Sequence, residues 1–561
     1  MTDSLAMCTQ LQELATHWES LGPKRWFQST PEHDAELTSK YGELYDHVRN
    51  PDNCIVRPQS KQEWLGYVIL FDQIRRHVNR HRGTSDGLPG GTDVFIRECK
   101  SMYEFHGNTH EELTDFEFMF LLFPIRHTHT LANIQYVTDK TWARLEAQGG
   151  QAAQSAILRN YLTATYERYN KLSMDITDNI QVYEPNGDPA LPTDEAGYLI
   201  TQLDEFSRLF DPQCSAKFTI KKHPQQVDLA NPLVDIMRRY MDTHHVLDPK
   251  CPWNIPIVSL SGGVDSMVCS YILHLMGIEF ACVHINYMNR TECAEEECFL
   301  RYWCCEVIRV PLYVRQIREI NRPRCMANGF RDLYESYTHN VRFDTYVNVG
   351  EFVMLGHNHD DTVENTLTNL AACSHYDNLL GMREYMEQTH RDEPLKILRP
   401  LLGVAKSEIY QFAKQYSIPY LADSTPKWSQ RGKIRDIVRP AIQQWNPQLI
   451  TGLTTLSSHL SDMTSLLTDL IGRGPESYPS LNEVPVNQMY WQTLFRNRQL
   501  RVTQRTLAEL CDKIEYLQKR PDKVILNQPV KFTLCKDTVL EFTRGWLGEI
   551  RLTVHTTTSG N

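Results

Sequence analysis

The chain has 561 residues, 41% of them hydrophobic and 23% charged, with a formal net charge of −11. That length leaves room for roughly three or four domains, the composition is that of a globular protein, and the acidic balance argues against indiscriminate nucleic-acid binding without excluding a local basic groove. No apolar stretch approaches a membrane span and MTDSLAMC opens no signal peptide. The 15 scattered cysteines include no CxxC pair, which reads as free thiols in a reducing, cytoplasmic compartment. Cys293, Cys298, Cys304 and Cys305 fit no common zinc spacing and read as packed core.

Residues 1–225 show almost no strand-like alternation. Apolar spacing predicts helices at Trp64–Val78, Val94–Phe105, Leu113–Phe123 and Ala152–Leu172, with breaks at His81–Gly91 (HRGTSDGLPGG) and at Pro124. Three strings stand out: Trp26-Phe27, LFDQIRRHVNR (Leu70–Arg80) and FLLFPIRHTHTLANIQ (Phe120–Gln135). In order and content they resemble a helical, TPR-like family known as domain of unknown function 924. Thr128-His129 stands where that family has serine-glutamate. The region is expected to fold alone. Its basic residues Arg75, Arg76, Arg80 and Arg82 read either as a solvated helix end favoured by the helix dipole or as a contact that helps hold tRNA. The region could instead recruit a protein partner or a second copy of the chain. PNGDPALPTD (Pro185–Asp194) is turn-rich, and FTIKKH (Phe218–His223) leads into the next domain.

Residues 226–445 alternate strand and helix patterns. Ile255–Leu260 is an apolar run with Ser259 its only polar residue, and Phe280–Ile285, Val307–Val314 and Phe352–Gly356 are further candidate strands. Helical patterns fall at Cys293–Cys305, Gly329–Asn348, Asp361–Leu370 and Lys406–Tyr416. This alternation predicts a doubly wound parallel sheet with ligands at the carboxyl ends of its strands.

The first strand runs straight into Ser261-Gly262-Gly263-Val264-Asp265-Ser266 and then a helix. Adjacent glycines let the backbone turn sharply and approach a ligand, and amides at a helix N-terminus form an anion nest. The hydroxyls of Ser261 and Ser266 add donors. Asp265 beside a bound anion makes sense when a divalent cation sits there too, so the implied ligand is a metal-bound polyphosphate.

This SGGxDS pattern resembles the signature of PP-loop ATP pyrophosphatases. With it come HINYMNR (His284–Arg290), GHNHDDTVENTLTNL (Gly356–Leu370), ILRPLL (Ile397–Leu402), IPYLADST (Ile418–Thr425) and RGKIRDIVRP (Arg431–Pro440). The set, in this order over about 190 residues, is similar to the tRNA(Ile)-lysidine synthetase branch. The resemblance implies a PP-loop domain at 226–445 and a tRNA-recognition domain at 446–561. It also implies ATP and Mg²⁺ as cofactors, and tRNA (an isoleucine tRNA) and lysine as substrates. ATP would meet Ser261 to Ser266, His284 and Gly356, and a metal would meet Asp265 and Asp361. The His357, Asp361 and Glu364 cluster, spaced as one helix face, would take the proton of the incoming amine, while Asp360 reads as an N-cap. Arg290, Arg342, Arg399, Arg431, Lys433 and Arg435 would face tRNA. Asn358, Gly432 and Asn365 depart from the family's histidine, asparagine and threonine, and His339 stands for an arginine before Arg342-Phe343. Other PP-loop chemistry, such as tRNA thiolation or amidation, and a non-catalytic tRNA scaffold remain alternatives. From Ile450 onward a helical stretch, a basic RNRQLRVTQRTLAEL and a strand-rich tail with a hairpin about Cys535-Lys536-Asp537 are expected.

Overall fold

The computed structural model describes residues 2–50, 58–107, 113–149, 151, 153–174, 179–185, 198–200, 202–214, 217–220, 230–246, 255–372, 379, 381–422, 430–472, 477–498, 500, 502–524, 528–535, 538–546 and 548–556. Most of Pro185–Asp194, together with residues 221–223, 423–425, 525–527 and 536–537, lies outside them. The chain divides into two compact units, one of residues 1–357 with 384–423, the other of 358–383 with 424–561. Among the described residues no helix is long and apolar enough to cross a membrane.

The first unit opens with helices that match the periodicity, including Lys61–Ile69 running through a π-helical turn at Leu70–Ile74 into Arg75–Arg82. The expected break at Pro124 does not occur: the helix Asp115–Arg126 passes through it. Proline removes one i→i−4 bond here, yet the residue lies in the last turn, where little helix remains to be disrupted. A capping box between Thr114 and Glu117 and a buried run from Phe116 to Ile125 hold the helix together.

The central sheet has seven described strands: β1 Ile180–Tyr183, β2 Ile257–Ser259, β3 Ala281–Asn286, β4 Leu312–Gln316, β5 Phe352–Met354, β6 Tyr385–His390 and β7 Glu393–Leu398. Their order is β1-β4-β3-β2-β5-β7-β6. The inner five are parallel, and β1 and β6 close the edges antiparallel. β3 is buried along its whole length, as a strand covered on both faces must be. Val307 to Pro311 is not strand: Trp303–Val307 forms a π-helical turn and Arg309 adopts φ 56° before β4 begins.

The helical region and the sheet share one core. Trp142 meets Phe330 edge-on at 5.2 Å between centroids, and Tyr166 meets Tyr337 at 5.3 Å. Around them Arg324 pairs with Glu146 at 2.6 Å, Gln154 donates to the Asn328 amide oxygen at 2.8 Å, and Arg159 donates to the carbonyls of Asn328 and Gly329.

The second unit carries the helices His359–Ala371, Gln448–Ile471, Gln488–Asn497 and Gln504–Lys519. Its four-stranded antiparallel sheet has the order Ser477–Tyr478, Ile550–Thr556, Thr538–Arg544, Val530–Cys535, with Cys535 opposite Thr538 as the hairpin requires. Trp491, Phe495, Leu510, Ile514 and Phe542 fill its core. RGKIRDIVRP is helical, within a run from Gln430 to Trp445 that has a π turn at Ile434–Val438.

Candidate nucleotide site and its acidic neighbour

Strand order reverses at β2: the chain runs to β3 and β4 on one side and resumes at β5 on the other. Such a reversal opens a crevice at the carboxyl ends of the two central strands. Ser261 to Ser266 leaves β2 there, and Gly356 and His357 leave β5.

Gly262 has φ 83°, and a Cβ on it would lie 2.3 Å from Leu421 Cδ1. Only glycine fits both the angle and the space. Gly263 is the N-cap of the helix Val264–Leu275, and Ser266 Oγ donates to the Gly263 carbonyl at 3.0 Å. Gly263 N–H in turn donates to Ser261 Oγ at 3.4 Å. Gly356 backs onto the start of that helix: its Cβ would meet Asp265 C and Ser266 N at 2.9 Å, backbone that cannot move aside. His284, buried within β3, donates from Nδ1 to the Leu260 carbonyl at 2.9 Å, and burial lowers its pKa. It braces the exit of β2 into the loop.

Asp265 lies in the first helical turn, and Lys406 Nζ reaches its Oδ2 at 2.5 Å. Lys406 begins the helix Lys406–Gln415 and was not singled out from sequence. Its signal in the sequence is its place seven residues after Arg399, where RPLL begins. Arg399 Nε donates to His357 Nδ1 at 3.1 Å. A guanidinium cannot accept a proton, so this bond fixes the ring proton of neutral His357 on Nε2. In that tautomer His357 presents a donor. Burial, then the nearby Arg342 charge, lowers the Arg399 pKa. The Arg342 guanidinium carbon lies 5.3 Å from the Phe343 ring centre, and Arg290 pairs with Glu296 at 2.5 Å.

The remaining acidic residues belong to the second unit and form a ladder of their own. His357 stands ahead of the helix His359–Ala371, so the three-residue face expected from spacing reduces to Asp361 and Glu364. The N-cap is Asn358 rather than Asp360. Its side-chain oxygen accepts from the amides of Asp360 (2.8 Å) and Asp361 (3.3 Å), while Asp361 Oδ2 accepts from the Asn358 amide at 3.0 Å. The departure at position 358 is therefore a helix cap. Glu364, 2% exposed, accepts from Arg431 Nε and Arg435 Nε, each at 2.8 Å. Arg431 also pairs with Asp361, and Arg439 with Asp360 at 2.5 Å. Three arginines four residues apart thus anchor the helix 430–445 to the helix bearing the carboxylates, and Lys433, between them, is exposed.

Arg435→Ala is expected to destabilise the protein by about 2 kcal/mol, because Glu364 would stay buried with half of its charge compensation gone. Adding Glu364→Gln should recover most of the loss in urea denaturation. An unchanged midpoint for Arg435→Ala would remove the anchoring role.

Among the described residues no group of three or more His, Cys, Asp or Glu side chains could hold a metal by itself. A magnesium ion needs less: one or two carboxylates, phosphate oxygens and water suffice. Asp265, at the mouth of the loop, fits that requirement. Asp361, in the second unit, is paired with Arg431.

Residues 229–444 match the family described as PP-loop domain, and residues 15–179 match a bacterial family of unknown function, DUF924. The tRNA(Ile)-lysidine synthase of Chlamydia muridarum is 26% identical over 306 residues, covering 52% of this chain and 90% of that protein. That of Bacteroides thetaiotaomicron is 27% identical over 241 residues, covering 42% of this chain and 53% of its own length. Among solved structures, U34-tRNA thiolase NcsA from Methanococcus maripaludis aligns at 15% identity with a TM-score of 0.34, covering 44% of this chain and 82% of that one.

Proposed function

We propose that the chain is an ATP-dependent tRNA-modifying ligase that joins lysine to C2 of a cytidine, in the wobble position of an isoleucine tRNA, releasing AMP and pyrophosphate. The observation that carries this reading is the Ser261–Ser266 turn at the strand-order reversal, with Asp265 and Lys406 together at its mouth. Two relatives named for the same reaction support it.

The cytidine C2 oxygen is a poor leaving group. In the proposed first step it attacks the α-phosphorus of ATP, and pyrophosphate departs into the turn. Such transfer depends mainly on positioning and charge neutralisation. Magnesium, bound with ATP, would supply part of that neutralisation, held by Asp265. Lys406 supplies a further positive charge beside Asp265, and His357 Nε2–H and Arg399 are donors suited to phosphate oxygens. In the second step the lysine amine attacks C2 and AMP leaves. Free lysine has a pKa of about 10.4, so a base must first take its proton. Asp361 and Glu364 are the candidate carboxylates, and each must part from an arginine to do so. Arrival of tRNA phosphates is the event that could draw Arg431 and Arg435 away, with exposed Lys433 an initial contact; Arg290 and Arg342 are further candidates for tRNA.

The test is mass spectrometry of nucleosides from tRNA incubated with the protein, ATP and single amino acids. Lysidine formed with lysine alone is the expected result. A thiolated or differently amidated base would redirect the reading to another PP-loop reaction, and ATP-independent tRNA binding with no product would make the chain a scaffold.

A further inference from the structure

The three strings of the helical region that the nucleotide chemistry leaves unused meet in one place. The π-helical turn Leu70–Ile74 buries Asp72, 4% exposed, and such turns recur where a helix is reshaped for a site. Asp72 accepts from His127 Nδ1 at 2.9 and 3.0 Å, from Gln73 Nε2 at 2.6 Å and from Arg76 Nη2 at 3.1 Å. Burial alone would raise its pKa; His127 and Arg76 hold it down at about 2. With Nδ1 turned to the carboxylate, His127 points Nε2 the other way.

Two more guanidiniums close on the same spot. Arg126 donates to Thr165 Oγ1 at 3.1 Å and to the Ala164 carbonyl at 2.9 Å. Arg168 donates from Nη2 to the carbonyls of His127 and Thr128, at 2.8 and 3.1 Å, while its Nε is enclosed without a partner among the described residues. The charges of Arg76 and Arg126 bear on Arg168, and Asp72 is the carboxylate that offsets them. Exposed Glu167 also bears on Arg126. Three guanidiniums meet one buried carboxylate and one exposed one, an excess of positive charge that costs free energy unless an anion completes it.

An aromatic row borders the cluster. Phe123 stacks on His127 at 5.3 Å and 29°, and Phe27, 56% exposed, lies 5.5 Å from Phe123. Trp26 is buried beneath, so Phe27 is the member of the pair left facing outward.

We propose that Arg76, Arg126, Arg168 and the Nε2 side of His127 bind a terminal phosphate carried on a nucleotide, and that Phe27 offers a ring face to its base. A phosphomonoester carries close to two negative charges near neutral pH and three free oxygens, so it can engage several guanidiniums at once, whereas an internal phosphodiester carries one charge and two free oxygens. Guanidinium forks suit its oxygens, and bases stack on exposed aromatic rings. A free nucleoside 5′-monophosphate and the 5′-phosphorylated end of an RNA present the same chemistry.

The test uses the full chain and calorimetric titration with uridine 5′-monophosphate, uridine and inorganic phosphate. The monophosphate should bind and uridine should not. Arg76→Gln and Arg168→Gln should each weaken the monophosphate by about tenfold, the loss of a charge-assisted hydrogen bond. Phe27→Ala should weaken the monophosphate and leave inorganic phosphate unchanged. Arg76 is 41% exposed in its side chain, so Arg76→Gln carries the test alone if Arg168→Gln does not fold. A tRNA transcript with a 5′-phosphate is then compared with the same transcript ending in a hydroxyl. A preference for the phosphorylated end that vanishes in Arg76→Gln makes RNA the source, and equal binding of the two transcripts makes it a free nucleotide. Unaltered monophosphate affinity in both arginine variants overturns the proposal. No readout requires turnover, so this result and the ligase reading can fail separately.

Discussion

Asp265→Asn is expected to lower ATP-dependent pyrophosphate release by about a hundredfold or more while leaving tRNA affinity within a few-fold. The magnitude is that of losing one preorganised electrostatic element at a site of charge development. The fold should survive, because Asp265 and Lys406 are each about one-fifth exposed and such a pair contributes about 1 kcal/mol at most. Asparagine keeps the shape and the first-turn position, so any deficit reports on charge. Lys406→Met gives the complement. If the lysine serves only to neutralise Asp265, the double variant should be no worse than Asp265→Asn. If it also meets phosphate, the double should be slower still. Wild-type pyrophosphate release by Asp265→Asn would sink the metal role.

A chain beginning at Asp228 is expected to be insoluble, or to lack fixed tertiary structure by near-ultraviolet circular dichroism. Phe330, Tyr334, Tyr337 and Val341 belong to one buried cluster with Trp142, Leu145, Leu158 and Tyr166. Burying each of the four is worth roughly 2 kcal/mol. Together they rival the whole stability of a domain, about 5–15 kcal/mol. This outcome differs from the independent folding that the change in sequence pattern suggests. The pattern near Pro185–Asp194 reports where helices give way to strands; it carries no information about which faces pack together. A soluble truncated chain with a wild-type spectrum and an unchanged single-turnover rate would show the shared core to be dispensable.

The strand-turn-helix from Ile257 to Leu275 was legible because its cues are local: an apolar run, two glycines and a helical period. The same holds for β3, β5 and the helices flanking them. What escaped is what depends on distant partners. Lys406 meets Asp265 across 141 positions of sequence, and nothing near Lys406 announces it. β1 and β6 are short edge strands with half-exposed, mixed side chains, so they read as loops until a neighbour pairs with them. Asn358 reads as a lost histidine and proves to be a cap, since a motif comparison scores identity where the backbone requires a hydrogen-bond acceptor. Arg431 and Arg435 read as free phosphate ligands because a basic run looks the same whether its carboxylates are near or absent.

The first unit is discontinuous, and this has a consequence for its birth on the ribosome. β5 pairs with β2 on one side and needs β7 on the other, but β7 is made only after the chain has passed through residues 358–383 of the second unit. At typical elongation rates of about 5–20 residues per second, the open side of β5 waits roughly 2–9 s for its partner. During that interval a hydrophobic parallel strand presents unpaired amides and carbonyls, the feature that recruits other nascent chains. Slowed translation between codons 355 and 393 should therefore raise the aggregated fraction of newly made protein, and a holdase chaperone that covers strand edges should lower it.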